Sequence, residues 1–251
     1  MIPKVIHYCW FGGKPLDALG KQCLESWKKF FPDYKIICWN ESNVDFSGCQ
    51  YIKEAYAEKK WAFVSDYVRF KVMYEYGGIY FDTDVEVIRP FDDILKSGSF
   101  MGCEQPDLKK GMRVNPGLGF AAEPRLAVIR EIIEHYERSS FYNDDGTLNL
   151  QMTVVQRTTN ILRQHGLKES MDSQQVAELI IYSTDYLCPI HVDTHQMHIT
   201  DNTHSIHWFA GSWVELRVKF RSKVYRILSH VFGEDTANKI REVIRGRKID
   251  T

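Results

Sequence analysis

The sequence lacks the long apolar segment that marks a membrane-spanning protein. No apolar run approaches the roughly 20 residues that a helix needs to cross a bilayer. A strand-like segment begins by about Lys4, which leaves no room for a signal peptide or an anchor. Internal repeats and low-complexity linkers are absent as well. We therefore expect a cytoplasmic protein rather than an anchored enzyme of the Golgi type.

The sequence also lacks the cysteine patterns of metal-binding and disulfide-stabilised domains. Its six cysteines include no Cys-x-x-Cys pair and no zinc-finger spacing. Several of them lie in apolar, strand-like segments, where a free cysteine behaves as a small core residue. We expect reduced thiols, in keeping with a cytoplasmic location.

An excess of positive charge is missing from the chain as a whole, which has 32 Lys and Arg, 33 Asp and Glu and a net charge of −1. This balance does not indicate a nucleic-acid partner. The C-terminal segment differs, because positions 217 to 248 contain ten Lys and Arg but three acidic residues. Apolar residues recur there at helical spacing, so we interpret 214–251 as a basic amphipathic helical tail. Such a tail either docks on an anionic membrane surface, which we favour, or packs on the preceding domain, 1–213.

Strand-like and helical segments alternate along 1–213. A length of 251 residues suits one α/β domain with a sizeable core, and the alternation predicts a mostly parallel central sheet. The expected strands are 4–9, 34–39, 79–81, 85–88, 100–104 and 117–122, and the expected helices are 16–31, 55–76, 124–136, 151–165 and 174–181. Ligands of such folds bind at the carboxyl ends of the strands.

The most informative segment is a short strand that ends in two carboxylates. Gly77 and Gly78 can take the open backbone conformations that end a helix. The following apolar residues, 79–81, fit a buried strand, and Asp82 and Asp84 come directly after it. Two acidic residues at this point are costly to bury unless positive charge meets them. A divalent cation that carries a diphosphate fits best, because hard oxygen ligands suit Mg²⁺ or Mn²⁺.

The helix just upstream carries a polar pair on an otherwise apolar surface. Asp66 and Arg69 are three residues apart and therefore lie on one face. The pair is either an intrahelical ion pair or a ligand-binding pair, in which Asp66 accepts hydrogen bonds from sugar hydroxyls and Arg69 meets phosphate or sugar oxygens. Next to the two carboxylates, we favour the ligand-binding interpretation.

Together these segments resemble glycosyltransferase family 32. The pattern Ala-x-x-Ser-Asp-x-x-Arg at 62–69, followed by Gly-Gly-Ile-Tyr-x-Asp-x-Asp at 77–84, is similar to its DXD-containing sugar-transferase region. Residues 2–13 resemble the family's opening strand and nucleotide loop, and 207–213 resemble its closing element. The family includes bacterial capsule and lipopolysaccharide transferases and fungal mannosyltransferases, and its catalytic core is similar to that of the large clostridial glucosylating toxins. The Thr-Gly-Pro often found near the middle helix is absent, which leaves the acceptor side open.

The resemblance implies a GT-A-like fold and a metal-dependent, retaining glycosyltransferase. It would move a hexose from a nucleotide sugar, UDP-hexose by analogy with bacterial relatives, to a polyprenyl-diphosphate-linked or saccharide acceptor in bacterial surface polysaccharide synthesis. No nucleophile is evident in the sequence, so front-face displacement assisted by the leaving diphosphate would fit. A polyprenyl-linked acceptor would bring the enzyme to the inner face of the cell membrane, where the basic tail could dock.

The resemblance also implies roles for individual residues. Asp84 would bind Mn²⁺ or Mg²⁺ together with His207, and Asp82 would meet the ribose, the sugar or the metal. Trp10 would stack on the nucleotide base, although a core aromatic is an equal alternative. The remaining expected contacts to the nucleotide sugar are Asn115, in a glycine-containing loop that could be a plain turn, and Ser212 and Trp213, which would donate hydrogen bonds to the leaving diphosphate.

Two other functions stay open from the sequence. The chain could bind a nucleotide sugar without turnover, although an intact Asp82, Asp84 and His207 set argues against this. It could also be a metal-dependent phosphoester hydrolase or hold zinc, because five histidines occur between positions 191 and 207. Turn-forming residues between them make a zinc-binding helix less suitable than scattered loop histidines. The five are His191, His195, His198, His204 and His207.

Overall fold

A computed structural model describes residues 1–107, 111–191 and 196–211 of the chain. The predicted tail, 214–251, and two predicted site residues, Ser212 and Trp213, lie outside the described residues. In the described ranges, the helices fall short of the length and apolarity needed to cross a bilayer.

The described part of the chain contains ten strands and seven helices. The strands are β1 (Val5–Cys9), β2 (Lys35–Trp39), β3 (Gly78–Tyr80), β4 (Val85–Val87), β5 (Phe100–Asp107), β6 (Gly111–Asn115), β7 (Phe120–Ala122), β8 (Gln174–Val176), β9 (Leu179–Tyr182) and β10 (Ser205–His207). The helices are α1 (Ala18–Phe30), α2 (Gln50–Ala57), α3 (Trp61–Tyr76), α4 (Asp92–Lys96), α5 (Ala127–Glu137), α6 (Val154–Gln164) and α7 (Thr184–Leu187).

The central sheet of the described residues has eight strands in the order β2-β1-β3-β7-β5-β9-β8, with β6 also paired to β5. Strands β1, β2, β3, β5 and β9 run in one direction, and β6, β7 and β8 run in the other. The prediction of an α/β domain with a mostly parallel sheet is therefore confirmed. Because β1 and β3 are parallel neighbours, their carboxyl ends lie side by side, which places Trp10 and Asp82 at the same end of the sheet.

Two apolar cores cover the two faces of this sheet. One contains the buried faces of α2, α3, α5 and α6, with Ile52, Phe70 and Ile132 among its members. The other contains those of α1, α4 and α7, with Trp27 and Leu187 among its members. Burial on both faces explains why the strands read as near-continuous apolar runs in the sequence.

Two predicted helices need correction. The segment 55–76 is not one helix, because α2 ends at Ala57 and Lys59 adopts a positive φ of 55° before α3 begins. The segment 174–181 is not helical but forms the antiparallel pair β8 and β9. The chain turns at Ala177, which has a φ of 48°. In β9, Leu179 and Ile181 are both buried, which fits the alternation of side chains along a strand.

Candidate active site

A pocket of about 560 Å³ opens at the carboxyl ends of β1 and β3. It is lined by the loop after β1, the first turns of α3, the segment after β3, strands β5 and β6, the start of α6 and the segment after β10. Its volume lies within the range of about 300–1,000 Å³ that is usual for small-molecule sites. Every site residue predicted from the sequence and described by the structure lines this pocket: Trp10, Asp66, Arg69, Asp82, Asp84, Asn115 and His207.

Gly78, the first residue of β3, allows that strand to approach β1 closely. Gly78 has a φ of 104°, and a Cβ atom there would lie 2.5 Å from the carbonyl oxygen of Val5. Past this contact β3 pairs with β1, and the amide of Phe81 donates to the carbonyl of His7. The next residue, Asp82, therefore leaves the sheet directly at the pocket.

His207 reaches the same place through a second, two-stranded sheet. Strand β10 pairs antiparallel with β4, which sets His207 opposite Val85 and beside Asp84. Its Nε2 lies 3.3 Å from Oδ1 of Asp84. The other oxygen of Asp84, Oδ2, accepts a hydrogen bond of 2.8 Å from the amide of Ala210. One ligand atom from each of Asp82, Asp84 and His207 lies within 4.8 Å of the others.

Charge in this group is strongly coupled. Burial alone would raise the pKa of Asp84, but the adjacent His207 and the Ala210 amide hold that pKa down to about 2. Burial would likewise lower the pKa of His207, but the carboxylate of Asp84 raises it. Asp84 therefore stays ionised across the physiological range, and a protonated His207 would have to release a proton before it could bind a metal ion.

This group of side chains fits a divalent cation. Two carboxylates and one imidazole offer oxygen and nitrogen donors, and carboxylate donors suit Mg²⁺ and Mn²⁺. The Nδ1 atom of His207 is buried and has no hydrogen-bond partner among the described residues. Among those residues no second group of acidic, histidine or cysteine side chains has comparable spacing.

A second set of charges, which we call the Arg69 cluster, consists of Asp66, Arg69, Tyr80 and Asp82. Nη2 of Arg69 lies 2.8 Å from Oδ1 of Asp66, and Nη1 lies 3.3 Å from Oδ1 of Asp82. Its guanidinium carbon lies 4.9 Å from the centre of the Tyr80 ring, and the Tyr80 hydroxyl donates to Asp82 at 3.0 Å. Asp66 and Arg69 therefore form the intrahelical ion pair of the first interpretation, and the pair also lines the pocket. Its role in ligand binding remains a prediction.

Burial sets the protonation of the Arg69 cluster. It raises the pKa of Asp66 to about 7, against the opposing charge of Arg69 and with a contribution from Asp82. Burial would lower the pKa of Arg69, but Asp82, Tyr80 and Asp66 together raise it, so the guanidinium remains charged. Arg69 thus stays cationic between two carboxylates, and the pKa of one of them, Asp66, lies near neutrality.

A third set, the Arg113 cluster, consists of Glu104, Arg113 and Asn115. Nη2 of Arg113 lies 2.7 Å from Oε1 of Glu104, and the side-chain amide of Asn115 donates to Oε2 at 2.8 Å. Asn115 in turn accepts from the amide of Gly117 at 2.8 Å. Sequence reasoning found Asn115 but missed Glu104 and Arg113. The available signal was a lone glutamate at the end of the apolar run 100–104.

Two tryptophans line the side of the pocket where the nucleotide base is predicted to bind. Trp10 is half-buried, and its Nε1 donates to the carbonyl of Lys14. Trp61, at the start of α3, also lines the pocket and was missed from the sequence. A Cβ atom on Gly12 would lie 2.7 Å from Nε1 of Trp61, so glycine lets the loop lie against this indole.

The histidine-rich segment does not form a separate metal centre in its described part. His204 bonds the carboxylate of Asp93 at 2.9 Å and stacks on Tyr186. His207 belongs to the group with the two aspartates. His195 lies outside the described residues.

Comparison with known proteins supplies a family match for the centre of this site. Residues 18–101, about a third of the chain, match a family model described as "Glycosyltransferase sugar-binding region containing DXD motif". This range contains the Arg69 cluster and Asp84, whereas Trp10 and His207 lie outside it. The similarity therefore covers the α3–β3 half of the pocket.

Two fungal proteins are similar over parts of the chain. Inositol phosphoceramide mannosyltransferase 3 of Schizosaccharomyces pombe is 33% identical over 105 residues, which are 38% of this chain and 27% of that protein. Glucan organizing enzyme 1 of Cryptococcus neoformans var. grubii is 26% identical over 170 residues, which are 66% of this chain and 44% of that protein. The chain thus spans less than half the length of these curated relatives.

Two solved structures are more distantly similar. The PaToxG glycosyltransferase has a TM-score of 0.46 and 19% identity, covering 65% of this chain and 69% of its own. A glycosyltransferase involved in the glycosylation of the major capsid of PBCV-1 has a TM-score of 0.45 and 12% identity, covering 88% of this chain and 100% of its own.

Proposed function

We propose that the chain is a metal-dependent, retaining glycosyltransferase that moves a hexose from a nucleotide sugar to an acceptor hydroxyl. The observation that carries this proposal is the shared pocket: Asp82, Asp84 and His207 face the same space as the Arg69 cluster. A cation site beside a polar, hydroxyl-binding wall is what a nucleotide diphosphate joined to a sugar requires. The family match over 18–101 supports the same activity.

The residues of the pocket then take distinct roles. A Mn²⁺ or Mg²⁺ ion held by Asp82, Asp84 and His207 would neutralise charge on the departing diphosphate. Asp66, fixed by Arg69, accepts hydrogen bonds from sugar hydroxyls, and Trp10 offers its indole to the nucleotide base.

The arrangement of the carboxylates argues against a covalent glycosyl-enzyme intermediate, which leaves front-face displacement as the retaining route. Asp66 is held by an arginine at 2.8 Å and Glu104 by another at 2.7 Å. A carboxylate engaged in this way is a poor nucleophile, because attack would require it to leave its ion pair. Assistance by the leaving diphosphate requires no protein nucleophile.

The donor and the biological setting follow from analogy. We propose a UDP-hexose donor and a polyprenyl-diphosphate-linked or saccharide acceptor in bacterial surface polysaccharide synthesis. One relative is named a mannosyltransferase, so GDP-mannose is the second donor to test. The basic segment 214–251 would bring the enzyme to the inner face of the membrane. Binding of the full chain to anionic liposomes and not to zwitterionic ones tests this part.

Calorimetric titration of UDP and GDP sugars, with and without Mn²⁺, tests the central proposal. Wild type is compared with Asp84→Asn and with Asp144→Asn, which changes an exposed acid outside the pocket. We expect binding of one donor that needs Mn²⁺, is lost in Asp84→Asn and is retained in Asp144→Asn. If no nucleotide bound to the folded wild-type protein, the proposal would be wrong.

Turnover separates the remaining functions. Donor binding with neither transfer nor slow donor hydrolysis would favour a non-catalytic binding protein. Cleavage of simple phosphodiesters that survives Asp84→Asn would favour a hydrolase that uses other residues.

A further inference from the structure

The β5–β6 side of the pocket carries a charged pair that the proposed chemistry does not use. Glu104 and Arg113 lie opposite each other in the register of these two strands. The side chain of Glu104 is 5% exposed, whereas that of Arg113 is 30% exposed, and both line the pocket. The pair therefore presents its arginine to the space where a ligand would lie.

The pair retains hydrogen-bonding capacity after its internal bonds are counted. A guanidinium has five N–H donors, and Arg113 pairs with Glu104 through Nη2, which lies 2.7 Å from Oε1. Oε2 of Glu104 accepts from Asn115, and each carboxylate oxygen keeps a further lone pair. Donors and acceptors thus stand side by side on a pair with no net charge.

This combination selects a class of ligand. An arginine without a carboxylate partner would bind a phosphate or a carboxylate. A carboxylate without an arginine partner would bind a cation. Hydroxyl groups both donate and accept, so two neighbouring hydroxyls complement an ion pair. Val154 and Val155, at the start of α6, line the pocket as well and offer apolar contact for the C–H face of a ring.

The position of the pair next to the proposed transfer site strengthens the argument. Asn115 links Glu104 to the Gly117 loop, whose carbonyl accepts from the amide of Asp82 at 3.2 Å. The Arg113 cluster therefore adjoins the Arg69 cluster through one short loop. A sugar held by Asp66 and Asp82 would have its next neighbours there.

We propose that Glu104 and Arg113 bind neighbouring hydroxyls of a neutral sugar ring and determine which sugar the pocket accepts. This inference rests on the proposed transferase function. The ring belongs either to the transferred hexose or to the terminal sugar of the acceptor, and the two sources share the same chemistry. Arg113 is thus a specificity residue, while Asp84 and His207 serve the diphosphate.

The first part of the test measures donor binding. The Kd of the nucleotide sugar and that of its nucleoside diphosphate are compared in wild type, Arg113→Met and Arg113→Lys. The matched control is Arg138→Met, which removes an arginine that pairs with Glu134 at 2.8 Å and lies outside the pocket. If the ring is the transferred hexose, Arg113→Met raises the Kd of the nucleotide sugar by about 10- to 100-fold and leaves the Kd of the nucleoside diphosphate unchanged.

The second part measures acceptor use at a saturating donor concentration, with a panel of methyl hexopyranosides as probes. If the ring is the acceptor sugar, Arg113→Met raises the KM for the preferred glycoside about tenfold or more and leaves the donor Kd unchanged. Arg113→Lys should fall between wild type and Arg113→Met, since lysine keeps the charge but loses the planar fork.

The outcomes separate this inference from the proposed function. Unchanged donor Kd and glycoside KM in Arg113→Met, with donor binding that still depends on Asp84, would show that the pair only holds the β5–β6 hairpin together. An equal loss in Arg138→Met would lead to the same conclusion. If wild type bound no nucleotide sugar, the transferase proposal itself would fail, and this inference with it.

Discussion

The Arg69 and Arg113 clusters use the same chemistry in different surroundings. Each has an arginine bound to a carboxylate at less than 3 Å, and each lines the same pocket. Arg69 is 4% exposed and serves two carboxylates, whereas Arg113 is 30% exposed and serves one. The first is a fixed internal charge, and the second is a charge that a ligand can still reach.

The difference shows how one pocket can combine rigidity with selectivity. A buried arginine shared by two carboxylates cannot relax, so it holds Asp66 and Asp82 in place before any ligand arrives. A half-exposed arginine keeps free donors and can distinguish one hydroxyl pattern from another. We therefore expect stability to depend mainly on the Arg69 cluster and choice of sugar mainly on the Arg113 cluster.

The largest effect should come from Arg69→Met. It removes the shared cation from the buried carboxylate of Asp66 and from that of Asp82, which is 30% exposed, so we expect the free energy of unfolding at pH 8 to fall by about 3–5 kcal/mol. Urea denaturation followed by circular dichroism measures this loss. Arg138→Met, which removes an arginine that is 78% exposed, should change stability by less than about 1 kcal/mol. Similar losses in both variants would contradict the distinction between buried and exposed arginines.

The next effect concerns the pH dependence of stability in Asp66→Asn. The folded state raises the pKa of Asp66 from 3.8 to about 7, mainly through burial. The raised pKa favours the folded protein below about pH 4, and this contribution is lost as pH rises through 7. Asparagine cannot titrate, so wild type should lose about 2–4 kcal/mol relative to Asp66→Asn between pH 4 and 8. Parallel pH curves for the two proteins would show that Asp66 ionises normally.

A smaller effect should follow from Gly117→Ala, which disturbs the loop that joins the two clusters. A Cβ atom at Gly117 would lie 2.1 Å from Oδ2 of Asp82 and 3.0 Å from Oδ1 of Asn115. Asp82 must move, so we expect a loss of about 1–3 kcal/mol in stability and weaker Mn²⁺ binding by calorimetry. Gly48→Ala is the control, because nothing lies within 4 Å of its added Cβ. Unchanged Mn²⁺ affinity in Gly117→Ala would show that the loop does not position Asp82.

The two clusters also differ in how far the sequence reveals them. Asp66 and Arg69 are neighbours through helical spacing, and Asp82 follows them after one short strand, so local patterns were sufficient. Glu104 and Arg113 meet only through the register of β5 and β6, and β6 itself was not predicted. Register between strands depends on tertiary packing, which a single sequence does not show.

The errors in the fold have a similar origin. The turn at Ala177 and the break at Lys59 both use positive φ values at residues other than glycine, so the usual sequence signals were missing. His207 was placed near Asp84 from the family resemblance, and the structure brings the two together through the pairing of β10 with β4. The roles of Trp10, Asn115, Ser212 and Trp213 in binding remain predictions.

The smallest expected effect is in the Arg113 cluster and concerns additivity. Arg113→Met should cost about 1 kcal/mol in stability, because the arginine is partly exposed and Glu104 keeps its bond from Asn115. Adding Glu104→Gln should recover part of that loss, since the double variant no longer buries an unpaired carboxylate. In the Arg69 cluster, Asp66→Asn should not rescue Arg69→Met to the same extent, because Asp82 would still lack its cation. Urea denaturation of the two double-mutant cycles compares these recoveries, and equal recoveries would mean that exposure does not distinguish the clusters.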